Sequence, residues 1–177
     1  IVNEHFGLLV IKIKVKGKSA HSSRPEEGIN AIDLLLEVVQ KIKSLEIHPK
    51  TLMSLVQING GIADNIIPGD ANATFSFRIA PGDAINYFEQ FSTFSSDKIT
   101  FEKIIGVESV HTDVPSELDF IKVRRTVKYF TELSFFKKGV IIGPGDIKYA
   151  HGPDEKVEKA ELEKAVGIYS EIIQNFE

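Results

Sequence analysis

The sequence contains no cysteine, no long run of apolar residues and no excess of positive charge. The lack of cysteine excludes disulfides, thiolate zinc sites and a cysteine nucleophile. The longest apolar runs are a few residues, far below the roughly 20 that a membrane-spanning helix needs. Lysine and arginine number 21 against 25 acidic residues, a net charge of −4. We therefore expect neither a nucleic-acid partner nor a membrane partner.

The composition is that of a globular protein. The chain has 177 residues, of which 42% are hydrophobic and 26% are charged. These values exclude global disorder and fit one ordinary domain or two small ones. No secretory signal pattern is present at the start, so we expect a cytoplasmic protein. Because the chain opens at Ile1 rather than at a methionine, we also expect it to be a piece of a longer protein.

Hydrophobic periodicity predicts an α+β fold for the first part of the chain. Apolar residues alternate with lysines over residues 8–16, which predicts a strand with one solvated face. Spacings of three and four from Ile29 to Ile42 predict a helix. Further strands are predicted at 53–58, 71–79 and 99–105, with a short helix after Pro81-Gly82-Asp83. The order β-α-β-β-α-β predicts a ferredoxin-like domain over residues 1–107, with a four-stranded antiparallel sheet and two helices on one face.

Residues 108–177 have a different pattern. The sequence predicts a helix over 117–130, then a wholly apolar strand over 139–142 of the kind that parallel sheets bury on both faces. A final helix is predicted from one apolar stripe. We interpret this segment as the closing part of an α/β domain whose other strands are absent. The predicted stripe consists of Leu162, Ala165, Val166, Tyr169, Ile172 and Ile173.

His21 lies in a loop of small residues between the first strand and the first helix. Loops on a rigid scaffold often carry function, and an imidazole there could donate a hydrogen bond to a developing oxyanion. The alternative is a solvated loop histidine.

A second cluster follows the predicted strand at 139–142. Gly143 and Gly145 could let a substrate approach the backbone, and His151 could bind zinc. One histidine makes no metal site, because zinc takes three or four ligands. The alternative is a glycine-rich turn before the last helix.

A third cluster joins two predicted strands through Gly60-Gly61. Asn65 in this connection is either a turn residue or a polar group directed at a ligand. Arg78 lies on the polar face of the next strand. Its guanidinium could bind a carboxylate through two hydrogen bonds, or could simply be solvated.

Three runs, taken in order, resemble a known family of enzymes. They are G-K-S-A-H-S-S-R-P-E-E-G-I-N-A, then I-N-G-G-I-A-D-N-I-I-P-G-D-A followed by F-S-F-R, and last G-P-G-D-I-K-Y-A-H-G-P-D-E-K-V. The family is that of the di-zinc amidohydrolases, which includes aminoacylase-1, acetylornithine deacetylase, succinyl-diaminopimelate desuccinylase and the glutamate-releasing carboxypeptidases. The resemblance covers nearly the whole chain. It implies a ferredoxin-like lid, or dimerisation, domain followed by a return into the catalytic domain.

The resemblance also implies a chemistry and a role for each candidate residue. A hydroxide bridging two zinc ions would attack an N-acyl amide while a glutamate acts as general base. The protein would be a homodimer through its lid domain. By resemblance, His21 polarises the scissile carbonyl in the active site of the partner subunit, Asn65 contacts substrate, Arg78 binds the substrate carboxylate, Gly143 and Gly145 face the substrate, and His151 is a zinc ligand.

The chain departs from this family at one large point. The first catalytic segment, which carries most zinc ligands and a Glu-Glu pair, has no counterpart in the sequence. We therefore expect two zinc ions in the complete enzyme and neither retained by this chain. His111-Thr112-Asp113 is spelled like the family's His-x-Asp ligand pair but comes after the lid. We interpret it as a chance match, or as a turn before the predicted helix at Glu117, in preference to a ligand pair.

The favoured hypothesis is part of a zinc-dependent amidohydrolase that removes an acetyl or succinyl group from an N-acyl amino acid, or cleaves a small peptide. This chain alone is expected to be inactive. One alternative is a stand-alone ferredoxin-like module for dimerisation or ligand binding. A second is a shortened relative in which His111, Asp113 and His151 form one weak metal site.

Overall fold

The computed structural model describes residues 1–136 and 138–176, which divide into two units. The large unit comprises Phe6–Ser109 and Lys128–Phe130, and the small unit comprises Ile1–His5, Val110–Val127 and the segment from Thr131 onward. The strands are β1 (Val2–His5), β2 (Gly7–Lys16), β3 (Ala20–His21), β4 (Leu52–Gly60), β5 (Ile66–Ile67), β6 (Asp70–Ile79), β7 (Ile99–Val107), β8 (Val110–His111) and β9 (Arg125–Val127). The α-helices are α1 (Ala31–Lys43), α2 (Tyr87–Ser92) and α3 (Lys159–Asn175).

Four long strands form the main sheet of the large unit, in the order β4-β6-β2-β7 with every pair antiparallel. The inward faces of β2 and β6 pack with α1 and α2 in one core, because their apolar residues recur at every second position. Asn30 caps α1 by accepting a 3.0 Å hydrogen bond from the amide of Ile32. The predicted ferredoxin-like order and antiparallel sheet are confirmed. The fully buried side chains of this core include Ile11, Ile13, Leu35, Ile42, Phe75, Phe77 and Phe91.

The first strand of the large sheet is longer than predicted, and the helix α1 buries a slightly different face. Val38 is buried in the structure, whereas Leu36, which shares the predicted spacing, is 44% exposed; Ile29 lies before the first residue of α1. The spacing of apolar residues therefore predicted the helix correctly. Packing of the helix on the sheet determined which of its residues are buried.

The small unit contains a three-stranded sheet in the order β8-β1-β9, where β9 is parallel to β1. The helix predicted over 117–130 is wrong: residues Ser116–Leu118 form one 3-10 turn, and β9 occupies the later part. Thr126 and Val127 are β-branched, which disfavours a helix and favours a strand. Pairing with β1 then supplies backbone hydrogen bonds that a local helix would otherwise make.

The apolar strand predicted over 139–142 is also wrong. Ile141 makes one isolated antiparallel bridge with Val2, through hydrogen bonds of 2.8 and 2.9 Å. Val140 and Ile141 are only half-buried. The segment lacks flanking parallel strands among residues 1–136 and 138–176, so nothing there covers both of its faces.

The final helix is confirmed as α3, but its predicted stripe is largely uncovered. Ala165 is buried, whereas Val166 and Ile173 are 65% and 61% exposed. Across the described part of the chain, no helix combines the length and the hydropathy that crossing a bilayer requires.

Candidate functional site

A short two-stranded ladder brings two of the predicted site residues together. Strands β3 and β5 are antiparallel, with His21 opposite Ile66 and Ala20 opposite Ile67. The amide of Ser22 donates a 2.9 Å hydrogen bond to the carbonyl oxygen of Asn65. Both His21 and Asn65 are exposed. The structure thus joins the backbones of the two loops that carry His21 and Asn65 on the surface of the large unit.

Two glycines let the backbone approach closely beside this ladder, where Lys18 and Ile29 form an isolated antiparallel bridge. A Cβ on Gly17 would lie 2.1 Å from the carbonyl oxygen of Ile29, and one on Gly28 would lie 2.9 Å from that of Lys18. The amide of Gly17 also donates a 2.7 Å hydrogen bond to the carbonyl of Gly69. No side chain larger than hydrogen fits at these contacts without a backbone shift, which explains the glycines on both sides of His21.

The ring of His21 is held by a residue that the sequence reasoning did not single out. Nδ1 of His21 lies 2.9 Å from Oγ of Ser23 and 3.2 Å from the backbone nitrogen of the same residue. The amide of Arg24 closes the turn with a 2.9 Å hydrogen bond to the carbonyl of His21. A polar residue two positions after a loop histidine is the sequence signal that could have identified Ser23.

Arg78 lies far from His21 and Asn65. Arg78 lies near the C-terminal end of β6, whereas Asp70 is the first residue of that strand. At about 3.3 Å per residue, the two residues are roughly 26 Å apart along the strand. Its cross-strand neighbours are Leu8 and Leu52. The half-buried side chain makes no hydrogen bond or ion pair within residues 1–136 and 138–176. An arginine that is flanked by leucines and has no acidic partner among the described residues can bind the carboxylate of a ligand.

A hydrogen-bond network near Arg78 connects the residue before β4 to the segment between β6 and α2. The hydroxyl of Thr51 donates to Asp83 at 2.5 Å and accepts from the amide of Ala80 at 2.9 Å, and Tyr87 donates to Asp83 at 2.7 Å. Partial burial raises the pKa of the Asp83 carboxyl, but the hydrogen bonds from Thr51 and Tyr87 outweigh it. The net pKa therefore lies below the usual value for an aspartate.

The glycine turn and His151 both belong to the small unit. Gly145 has φ +100°, and its amide donates a 2.8 Å hydrogen bond to Oε2 of Glu161. His151 has φ +60°, a left-handed conformation that is uncommon for residues other than glycine. Gly143 has nothing within 4 Å of where its Cβ would be. The turn leaves a shallow pocket of about 140 Å³ beside Gly145.

His111 is engaged by another group in the small unit. Its Nδ1 lies 3.0 Å from Oε2 of Glu4, whose other oxygen accepts a 2.6 Å hydrogen bond from Thr126. His5 is fully buried, with Nε2 3.1 Å from Oγ of Ser134. These contacts join neighbouring strands or loops of the small unit.

The described residues do not fit a zinc centre by themselves. Within residues 1–136 and 138–176, no three histidine, aspartate or glutamate side chains lie close enough to hold a metal ion. His151 makes no hydrogen bond or ion pair there either. The single weak site that would join His111, Asp113 and His151 does not form, and that alternative is wrong.

Comparison with known proteins assigns this chain to a family. The peptidase dimerisation domain of the M20 family matches residues 3–94, more than half of the chain, including His21, Asn65 and Arg78. The chain belongs to the M20 peptidase family. The resemblance to the deacylases and carboxypeptidases is thereby confirmed, with a dimerisation domain followed by part of a catalytic segment.

The sequences of several relatives align with nearly the whole length of this M20 chain. It is 28% identical to the acetylornithine deacetylase of Proteus mirabilis over 99% of the chain and 53% of that protein. It is 31% identical to a probable carboxypeptidase of Paracoccidioides lutzii, over 98% of the chain and 46% of that protein. The aminopeptidase PepT structure from Bacillus cereus has the same fold, with a TM-score of 0.68, 16% identity and coverage of 99% and 53%. The chain thus spans about half the length of these relatives.

Proposed function

We propose that this chain is part of a metal-dependent amidohydrolase that removes an acetyl or succinyl group from an N-acyl amino acid, or cleaves a small peptide. The observation that carries the proposal is the pairing of β3 with β5, which joins the loop of His21 to the loop of Asn65. An imidazole N–H donates a hydrogen bond to the scissile carbonyl oxygen as it becomes an oxyanion. The carboxamide of Asn65, on the loop joined to that of His21, contacts the substrate as well.

Arg78 is proposed to bind the substrate carboxylate, which fits its apolar surroundings and its lack of an acidic partner among the described residues. A small N-acyl amino acid cannot span the distance from Arg78 to His21 within one chain. If all three residues contact one substrate, His21 and Asn65 come from one copy and Arg78 from another. The proposed enzyme is therefore a homodimer with composite active sites.

The β4 edge is the proposed dimer surface. The strand reads LMSLVQING and has no charged residue, whereas β7 at the other edge carries Glu102 and Lys103. Val56 and Ile58 of β4 are 53% and 49% exposed. Charges normally protect an exposed edge from pairing, so an uncharged apolar edge favours pairing with a second copy.

The metal is proposed to bind with His151 as one ligand and with further ligands from the portion of the relatives that this chain does not span. When bound, such a metal would activate the attacking water. Gly143 and Gly145 would face the substrate beside it. Because the described residues supply no complete metal site, this chain alone is proposed to be inactive.

A stand-alone dimerisation or ligand-binding module is the second candidate. The lack of a metal-holding cluster in residues 1–136 and 138–176 favours it, because such a module needs no metal.

The test starts from the protein as its source cell makes it. The mass of its single polypeptide is measured under denaturing conditions, and the native protein is then incubated with N-acetyl and N-succinyl amino acids and dipeptides, with and without zinc. A mass about twice the 19.7 kDa of this chain, with zinc-dependent release of free amine, would support the hydrolase. A mass of 19.7 kDa with no hydrolysis of any substrate would support the module and contradict the hydrolase.

A further inference from the structure

The turn after β3 constrains the protonation of the His21 ring. The backbone N–H of Ser23 points at Nδ1 of His21 across 3.2 Å, and the hydroxyl of Ser23 lies 2.9 Å from the same nitrogen. A backbone N–H can only donate, so the ring nitrogen that it faces must offer a lone pair. In a neutral imidazole one nitrogen accepts and the other carries the proton. The proton is therefore on Nε2.

This arrangement decides what His21 can do chemically. Nε2–H is a hydrogen-bond donor and cannot accept a proton from water or substrate. A ring with Nδ1 protonated and Nε2 free would instead be a potential base at Nε2. The backbone N–H of Ser23 favours the donor form, which is the form that an oxyanion requires, and in this form the hydroxyl of Ser23 donates to the same nitrogen.

We propose that Ser23 is a positioning residue that holds His21 as the Nε2–H tautomer, so that His21 acts on the substrate as a hydrogen-bond donor and not as a general base. The catalytic consequence rests on the function proposed above. The tautomer itself does not, because it is a property of this chain.

The other histidines provide references in the same molecule. Nδ1 of His48 faces the amide of Lys50 at 3.3 Å, the same two-residue geometry as in His21. Nδ1 of His111 faces a carboxylate oxygen of Glu4 at 3.0 Å, and a carboxylate only accepts, so His111 carries its proton on Nδ1. His21 should therefore match His48 and be the reverse of His111.

The experiment records long-range proton–nitrogen correlations of the 177-residue chain labelled with ¹⁵N in its histidines, at about pH 8, where imidazoles are neutral. His21→Gln identifies the signal of His21 by its disappearance. Ser23→Ala removes the hydroxyl and keeps the amide, and Ser22→Ala is the matched control. The backbone amide spectrum of each variant reports whether it is folded.

We expect the Nε2–H pattern for His21 in the native chain. In Ser23→Ala the ratio of the two tautomers should fall roughly 2- to 10-fold, the range for loss of one ordinary hydrogen bond. Ser22→Ala should leave the ratio unchanged. An Nδ1–H pattern for His21, or a ratio that is the same in Ser23→Ala and the native chain, would overturn the inference.

A second readout uses the active protein from the source. If it hydrolyses an acyl amino acid, Ser23→Ala should lower kcat more than it raises KM, because a misplaced proton weakens the transition state more than substrate binding. Loss of activity in His21→Ala with unchanged kcat in Ser23→Ala would overturn the inference. Absence of hydrolysis by the native protein would overturn the proposed function instead, and the tautomer result would be unaffected.

Discussion

The carbonyl oxygen of Asn65 accepts a hydrogen bond from the amide of Ser22, the residue that follows His21. Two loops that are distant in sequence are joined at the point where each carries a polar side chain. This contact between the loops depends on the pairing of β3 with β5, which are only two residues long each. A ladder this short has few hydrogen bonds of its own, so its neighbours must hold it in place.

Gly17→Ala should therefore destabilise the large unit. The new Cβ would lie 2.1 Å from a backbone oxygen, and overpacking of this kind costs about 1–3 kcal/mol in the free energy of unfolding. Urea unfolding followed by circular dichroism measures the change. Gly152→Ala is the control, because nothing lies within 4 Å of that position. Equal stabilities for the two variants would contradict the close packing of this loop.

Arg78→Ala in the active protein should raise KM roughly 10- to 100-fold, which is the range for loss of charge-assisted hydrogen bonds to a carboxylate. Arg78→Lys should recover part of the loss, since a lysine keeps the charge without the planar fork. Steady-state kinetics with an N-acetyl amino acid measures both. The control is Lys14→Ala on the same sheet face, where Lys14 pairs with Glu102 at 2.6 Å. An unchanged KM in Arg78→Ala would show that Arg78 does not bind the substrate carboxylate.

Val56→Asp should convert the proposed dimer into a monomer. Val56 is the bulged residue of β4, and a carboxylate there would be desolvated or repelled on pairing with a second copy. Ile104→Asp is a matched control, because Ile104 is 49% exposed at the bulge of β7 on the opposite edge. Sedimentation velocity at several concentrations distinguishes the two. If only Ile104→Asp dissociated the dimer, the interface would lie at the β7 edge and not at the β4 edge.

The large unit should lose stability in acid through Asp83. Its pKa is below the usual value in the folded chain, so its stabilising effect is complete above the unfolded pKa near 3.8. The effect is lost as the pH falls through the lower, folded pKa. Urea midpoints measured from about pH 6 to pH 2 should show this loss.

Tyr87→Phe tests the cause of that acid sensitivity. The variant keeps the ring stacked on Phe77 at 5.1 Å and removes the hydroxyl that donates to Asp83. It should cost about 1 kcal/mol near neutral pH and flatten the acid dependence. An acid dependence equal to that of the native chain would assign the effect to other carboxylates.

Zinc added to the 177-residue chain should produce no hydrolysis of N-acetyl or N-succinyl amino acids. His151 offers one ligand, and the residues that the structure describes contain no cluster able to hold a metal ion. Calorimetric titration with zinc should likewise show no tight site, and His151→Ala should not alter the trace. Turnover by the chain alone would show that its residues suffice for catalysis.

Much of the large unit could be predicted because local sequence carries its information. The alternation in β2 and β6 and the three-and-four spacing in α1 both follow from one face being buried. The small unit could not be predicted in the same way. Residues 125–127 form a strand because β1 lies beside them, and that partner is more than a hundred residues away in sequence.

The sequence by itself determined the order of the long strands and helices in the large unit, the final helix α3 and the identity of the polar residues in each loop. Those features depend on residues within one or two helical turns of each other. The tertiary structure decided that the loops of His21 and Asn65 are joined and that Arg78 is at the far end of β6 from them. These relations come from sheet register and from backbone hydrogen bonds between distant segments, which local periodicity does not encode.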